Sequence, residues 1–138
     1  YMDFNNGKDS ISSSGELYCP PLPNIKEEDK KRVYYYSLFP NMLLSLHPEY
    51  VMYHTVWPIG INRSKVTCSW LFTEEIINSN DHKIEEAVDF WDMTNKQDWY
   101  ISELSQLGIQ SKKYSPAPYS GQESLLAAFD KHYKKIIN

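Results

Sequence analysis

Residues 33–73 limit the fold more than any other part of the chain. Four stretches rich in β-branched and aromatic residues follow one another: "VYYYSLF" (33–39), "MLLSLH" (42–47), "YVMYHTVW" (50–57) and "KVTCSWLFT" (65–73). "PN" and "PE" separate the first three, and "PIGINRS" (58–64) reads as a hairpin loop before the fourth. Connections this short cannot carry a parallel crossover, so the stretches must form an antiparallel meander. In the last of them Val66, Cys68, Trp70 and Phe72 share one face at period two.

A sheet with one apolar face needs a second layer. Residues 74–81 read as a polar loop, and a long helical segment follows over about 83–107, with Gly108 placed to end it. Phe90, Met93, Gln97, Ile101 and Leu104 recur at spacings of three and four and form a predicted stripe. Thr94, Asp98 and Ser105 fall beside that stripe, whereas Asp92, Lys96, Trp99 and Glu103 fall largely opposite. After a Pro-rich connector (113–120), Ser120 and Glu123 fit a capping box. A final helix over about 121–136 carries Leu126, Phe129, Tyr133 and Ile136 or Ile137 on one face. Strands followed by helices point to an α+β domain with a helix across an antiparallel sheet. Residues 1–32, with "NNGKDSISSSGE" and "CPPLP", read as an irregular loop segment ahead of the domain at 33–138.

Composition narrows the function classes. At 138 residues and 41 % hydrophobic, the chain suits one domain with a modest core. A net charge of −4 argues against nucleic acid as a partner. No apolar run approaches the ~20 residues that span a bilayer, and no signal-peptide pattern is visible. Cys19 and Cys68 lie far apart and in no metal-ligand spacing, which suits a reduced, cytoplasmic chain. The first residue is Tyr1 rather than Met, the expectation for a piece of a longer polypeptide.

Nucleophile elbow, phosphate loop and dinucleotide fingerprint are all missing from the sequence. His47, His54, His82 and His132 make no ligand pair at helical spacing and read as structural or surface groups. Asp98 is different. A carboxylate beside a buried stripe is costly unless it is hydrogen-bonded, paired or bound to a metal. Residues alone leave both readings open, a satisfied structural acid and a functional one.

The segments "LFPNMLLSLHPEYVMYHTVWPIGINRSKVTCSWLF" (38–72) and "AVDFWDMTNKQDWYISELSQLGIQSKKYSPAPYSGQESLLAAFDKHY" (87–133) resemble the catalytic domain of Rieske non-haem iron oxygenase α subunits. The nearest subgroup contains choline, glycine betaine and carnitine monooxygenases. This resemblance implies a helix-grip (START-like) fold, here incomplete, and a ring-hydroxylating type of oxygenase that hydroxylates or N-demethylates a small organic substrate. It implies mononuclear Fe(II) held by two histidines and one carboxylate. The carboxylate belongs to the "QDW" element, which is Asp98 here. The family's His-x₄-His element and the Cys and His pairs of its [2Fe–2S] cluster are absent from this chain. They are expected in a preceding N-terminal part, and the fragment alone is expected to be inactive. Implied partners are O₂, a reductase or ferredoxin, and further copies in a homotrimer. A quaternary ammonium substrate would be held by aromatic faces. Trp91, Trp57 and Trp70 are the candidates, with Trp91 first because it lies two helical turns before Asp98. The alternative is a non-catalytic helix-grip domain that binds a small apolar or cationic ligand.

Overall fold

The computed structural model describes residues 1–80 and 83–138. His82 therefore lies outside the described residues. The chain is α+β, as expected, and divides into two compact units, Tyr1–Tyr100 and Ile101–Asn138.

The first unit holds an antiparallel sheet of five strands in sequential order. They are β1 (Met2–Asp3), β2 (Arg32–Leu38), β3 (Met42–Leu46), β4 (Val51–Gly60) and β5 (Arg63–Leu71). The meander is thus present. Its last hairpin is longer than the sequence predicts, because β4 and β5 run on to a turn at Ile61 and Asn62. Pro58 does not end the strand. Val56 N–H donates to Asn41 O at 2.9 Å, so two residues on the Pro58 nitrogen faces the same side. The β3 pairing ends at Thr55, so the donor that proline lacks has no ladder partner to lose there. A register irregularity between Pro58 and Gly60 absorbs the remainder.

Residues 1–32 do more than connect. Met2 and Asp3 pair with Val33 and Arg32, a 3₁₀ turn spans Glu27–Lys31, and Tyr18 and Cys19 are buried. This segment covers the β3–β4 connection His47-Pro48-Glu49-Tyr50, all four residues of which are buried. A buried turn needs partners for its polar groups. His47 N–H donates to Tyr50 O at 3.0 Å, Leu22 N–H to Pro48 O at 2.7 Å, and the Cys19 thiol reaches Glu49 O at 3.7 Å.

Residues 74–77 form a short helix, α1 (Glu74–Ile77), where the sequence reads as loop. Ile76 is buried, and Glu74 and Glu75 sit in the first turn, where the helix dipole favours acids. The long helix is α2 (Ile84–Ile109). Gly108 lies inside it and lacks the positive φ of a C-terminal cap, a correction to the expected stop.

The predicted stripe of α2 also needs correcting. Met93, Ile101 and Leu104 are 51 %, 59 % and 46 % exposed, and Gln97 is exposed. The buried line is Ala87, Trp91 and Asn95 instead, roughly a third of a turn around the helix. Ala87 and Trp91 join Tyr18, Tyr50, Met52, Cys68, Trp70 and Phe72 in the core. Ala87 is fully buried in this cluster, whereas Phe90 is only half-buried. The period was therefore legible, but the phase was decided by tertiary packing.

In the second unit, α3 (Ser124–Ile137) follows a 3₁₀ turn at Gly121–Glu123. The Glu123 carboxylate accepts a 2.6 Å hydrogen bond from Ser120 N–H, the capping contact that the sequence predicts. That bond holds the Glu123 carboxyl below its usual range. Phe129 and Tyr133 stack with ring centroids 6.4 Å apart, one helical turn from each other.

Candidate functional site

Two polar clusters meet the buried line of α2. The first surrounds the β3–β4 turn. His47 is 4 % exposed and stacks on Tyr50 at 4.3 Å and 14°. Trp91 stands edge-on to His47 at 5.6 Å, and its indole N–H donates to the Tyr50 hydroxyl at 2.6 Å. Ser10 donates to the Glu49 carboxyl, which is 1 % exposed. Among the described residues neither His47 ring nitrogen has a hydrogen-bond partner, nor do Glu49 Oε2, the Tyr18 hydroxyl and the Trp70 indole N–H.

Burial disfavours the charged form of each titratable group here. Desolvation lowers His47 to about 4 and pushes Tyr18 up to about 12 and Cys19 up to about 11. It raises Glu49, with the Ser10 hydrogen bond opposing, and raises Tyr50, with the Trp91 hydrogen bond opposing.

A pH dependence follows. The ordinary His47 value of 6.5 falls to about 4 in the fold, so the folded state takes up its proton later than the unfolded state. About 3 kcal/mol of stability, present above pH 6.5, should be lost as the pH falls through about 4. Glu49 acts in the opposite sense, because its raised value gives stability at low pH that is lost as the pH rises. Thermal unfolding of the full-length protein between pH 8 and pH 4 should show an acid limb that His47→Phe flattens. An unchanged limb in that variant would assign it to other groups.

The second cluster lies further along α2. His54 Nε2 and Asn95 Oδ1 are 3.1 Å apart, and Asn95 is 7 % exposed. Burial pushes the ionisation of the nearby Cys68 thiol up. Asp98 follows one turn later. At 100° per residue it points within about 20° of Ala87, on the buried line itself, yet it is exposed.

Of the four candidates from the sequence, three lie along this face. Trp91 and Trp70 pack against the core cluster, and Asp98 continues the helix line. Trp57 does not join them. It is 58 % exposed and sits opposite Lys65 in the outer part of the β4–β5 hairpin. Sequence reading missed both the buried His47 and Glu49 and the His54–Asn95 pair. No local signal marks their burial, because Pro48 and Glu49 read as an exposed turn.

A cavity of about 370 Å³ lies between residues 12–16 and α2. Tyr18, Lys83, Glu86, Asp89, Phe90 and Met93 also line it, so it includes neither Asp98 nor a tryptophan. Among the described residues no group of three or more His, Cys, Asp or Glu could hold a metal ion. Taken alone, the donor set does not fit a two-histidine, one-carboxylate iron centre. Both described cysteines are free thiols. No helix of the described residues is long and apolar enough to cross a membrane.

Comparison with known proteins places this architecture. Residues 1–138 match the family model of the ring hydroxylating α subunit (catalytic domain). The glycine betaine monooxygenase oxygenase subunit of Pseudomonas aeruginosa is 36 % identical over 72 residues, 52 % of this chain and 17 % of that protein. The corresponding subunit of Chromohalobacter salexigens is 32 % identical over 81 residues, 59 % of this chain and 18 % of that protein. The match thus spans under a fifth of the length of these relatives. With the family model matched along the whole sequence, the chain belongs to the ring-hydroxylating α-subunit catalytic-domain family.

Proposed function

We propose that this chain is the C-terminal part of the catalytic domain of a Rieske-type oxygenase. In this reading the full-length protein uses O₂ to hydroxylate or N-demethylate a small organic substrate, of the quaternary ammonium class. The observation that carries the proposal is the family match over all 138 residues, together with relatives named as glycine betaine monooxygenase subunits. Asp98 supplies the carboxylate ligand to a mononuclear Fe(II). The two histidine ligands and the [2Fe–2S] cluster come from sequence outside this chain, and a reductase or ferredoxin delivers electrons. The assembly is a homotrimer, and it works in the cytoplasm.

The residues support parts of this reading. A hard carboxylate oxygen suits Fe(II). Aromatic faces suit a cation that cannot be hydrogen-bonded, and Trp91, Trp70, Tyr50 and Phe72 gather on one side of the sheet. Trp57 contributes only if another segment covers it, since it is exposed here. The second reading is a helix-grip domain that binds a small apolar or cationic ligand without iron.

Oxygen uptake by the full-length protein with its reductase separates the two. Glycine betaine should drive uptake at least about tenfold better than its isostere 3,3-dimethylbutanoate, whose tert-butyl group lacks the cationic charge, the preference that ~1.5 kcal/mol of cation–π attraction supplies. Equal response to both would remove the quaternary ammonium assignment. Binding of either compound by iron-free protein, with no oxygen uptake, would establish the ligand-binding domain.

A further inference from the structure

We infer that the outer end of the β4–β5 hairpin, residues 57–65, is an arm that docks into the acid-rimmed cleft beside α2 of a second copy of this chain. Neither the iron nor the oxygenase reaction enters this inference. The β3 pairing stops at Thr55, whereas β4 and β5 stay paired out to Gly60 and Arg63. The arm is therefore two strands wide, and all nine of its residues are exposed. Trp57 and Ile59 are each 58 % exposed, and Ile61, in the turn, is fully exposed. Asn62 suits a two-residue hairpin turn, but Ile61 does not. A two-stranded ribbon is marginal in water by itself, so covering these apolar groups stabilises it.

Charge indicates the partner surface. From Tyr50 to Thr73 the chain has no Asp or Glu, although its net charge is −4. Lys65 is directly opposite Trp57, so the two share a face of the arm, and Arg63 lies two residues from Lys65 on that face. Among the described residues neither cation makes an ion pair. The cleft between residues 12–16 and α2 is the complement. Tyr18, Phe90 and Met93 give it an apolar lining, and Glu16, Glu86 and Asp89 outnumber its one cation, Lys83. Met93 and all three acids are exposed, so the cleft is open to an incoming side chain. Arm and cleft do not meet within one copy, because every residue of the arm is exposed and the ladder fixes its direction. Each copy carries both halves, so the contact is head-to-tail, the kind that builds a ring when its rotation closes.

The test uses the full-length protein with photoreactive p-benzoylphenylalanine in place of Ile61, an exposed position whose replacement removes no core volume. Irradiation should give a product of twice the chain mass, with the junction in residues 12–18 or 83–93. Glu86→Lys/Asp89→Lys should lower its yield about tenfold, because attraction across the contact becomes repulsion. Adding Arg63→Glu/Lys65→Glu to that variant should restore the yield to within about threefold, because the pairs re-form with their signs exchanged. All four positions are exposed, so thermal unfolding should stay close to the parent's. Absence of the double-mass product, or a junction elsewhere, would overturn the inference. A yield that the first charge reversal leaves unchanged, or that the second does not restore, would overturn it too. A junction within the same chain would assign the arm to another part of its own chain and exclude the second copy.

Discussion

Asp98→Ala in the full-length protein is expected to remove the mononuclear iron and to lower turnover by more than about a hundredfold, while the cluster spectrum persists. Loss of an outer partner of a metal ligand already costs ~10–100-fold, so loss of the ligand itself must exceed that. Asp98 is exposed, so the substitution takes out no core volume, and thermal unfolding should stay close to the parent's. Asp98→Asn should behave like alanine, because an uncharged amide oxygen does not neutralise Fe(II). Asp98→Glu keeps the charge one methylene further out and should retain part of the iron. Metal analysis, the visible spectrum and turnover on the same samples decide the matter. Full iron and full turnover in Asp98→Ala would leave Asp98 as a surface acid.

The second large effect concerns stability. Tyr50→Ala should destabilise the domain by about 4 kcal/mol, because the ring is fully buried and its removal opens a cavity in the core. That ring stacks on His47 and lies 5.3 Å from Phe72, and its hydroxyl accepts the Trp91 N–H. Set against a total of about 5–15 kcal/mol for a domain, this is a large share. The unfolding midpoint of the full-length protein's catalytic domain should fall by about 10–15 °C. Tyr50→Phe keeps the ring and removes only the acceptor, so it should cost about 1–2 kcal/mol. Equal shifts for the two variants would mean that the hydrogen bond, not the ring, holds the helix to the turn.

Much of the architecture was legible from local rules. Short linkers between strand-forming runs dictated an antiparallel meander, and the alternation of Cys68, Trp70 and Phe72 identified the face turned to the core. Local chemistry also placed the Glu123 contact at the start of the last helix. Two errors arose where a local rule met a tertiary one. Pro58 reads as a strand breaker, but a strand edge without a partner tolerates it. Phe90 and Met93 read as core, but Ala87 and Trp91 are the residues of the helix that join the core cluster.

The site divides in the same way. By itself the sequence determined the order of the four strands β2–β5, the long helix and, through the resemblance that its "QDW" element carries, which acid to single out. Period and composition are local properties, and each residue carries them alone. Tertiary structure decided that His47 and Glu49 are buried, that Trp91 caps Tyr50, that Trp57 stands apart, and that His54 reaches Asn95 across 41 positions of chain. Those contacts depend on where distant segments cross. A histidine's neighbours set its burial, its protonation and its partner, and no pattern within a few residues of His54 specifies them.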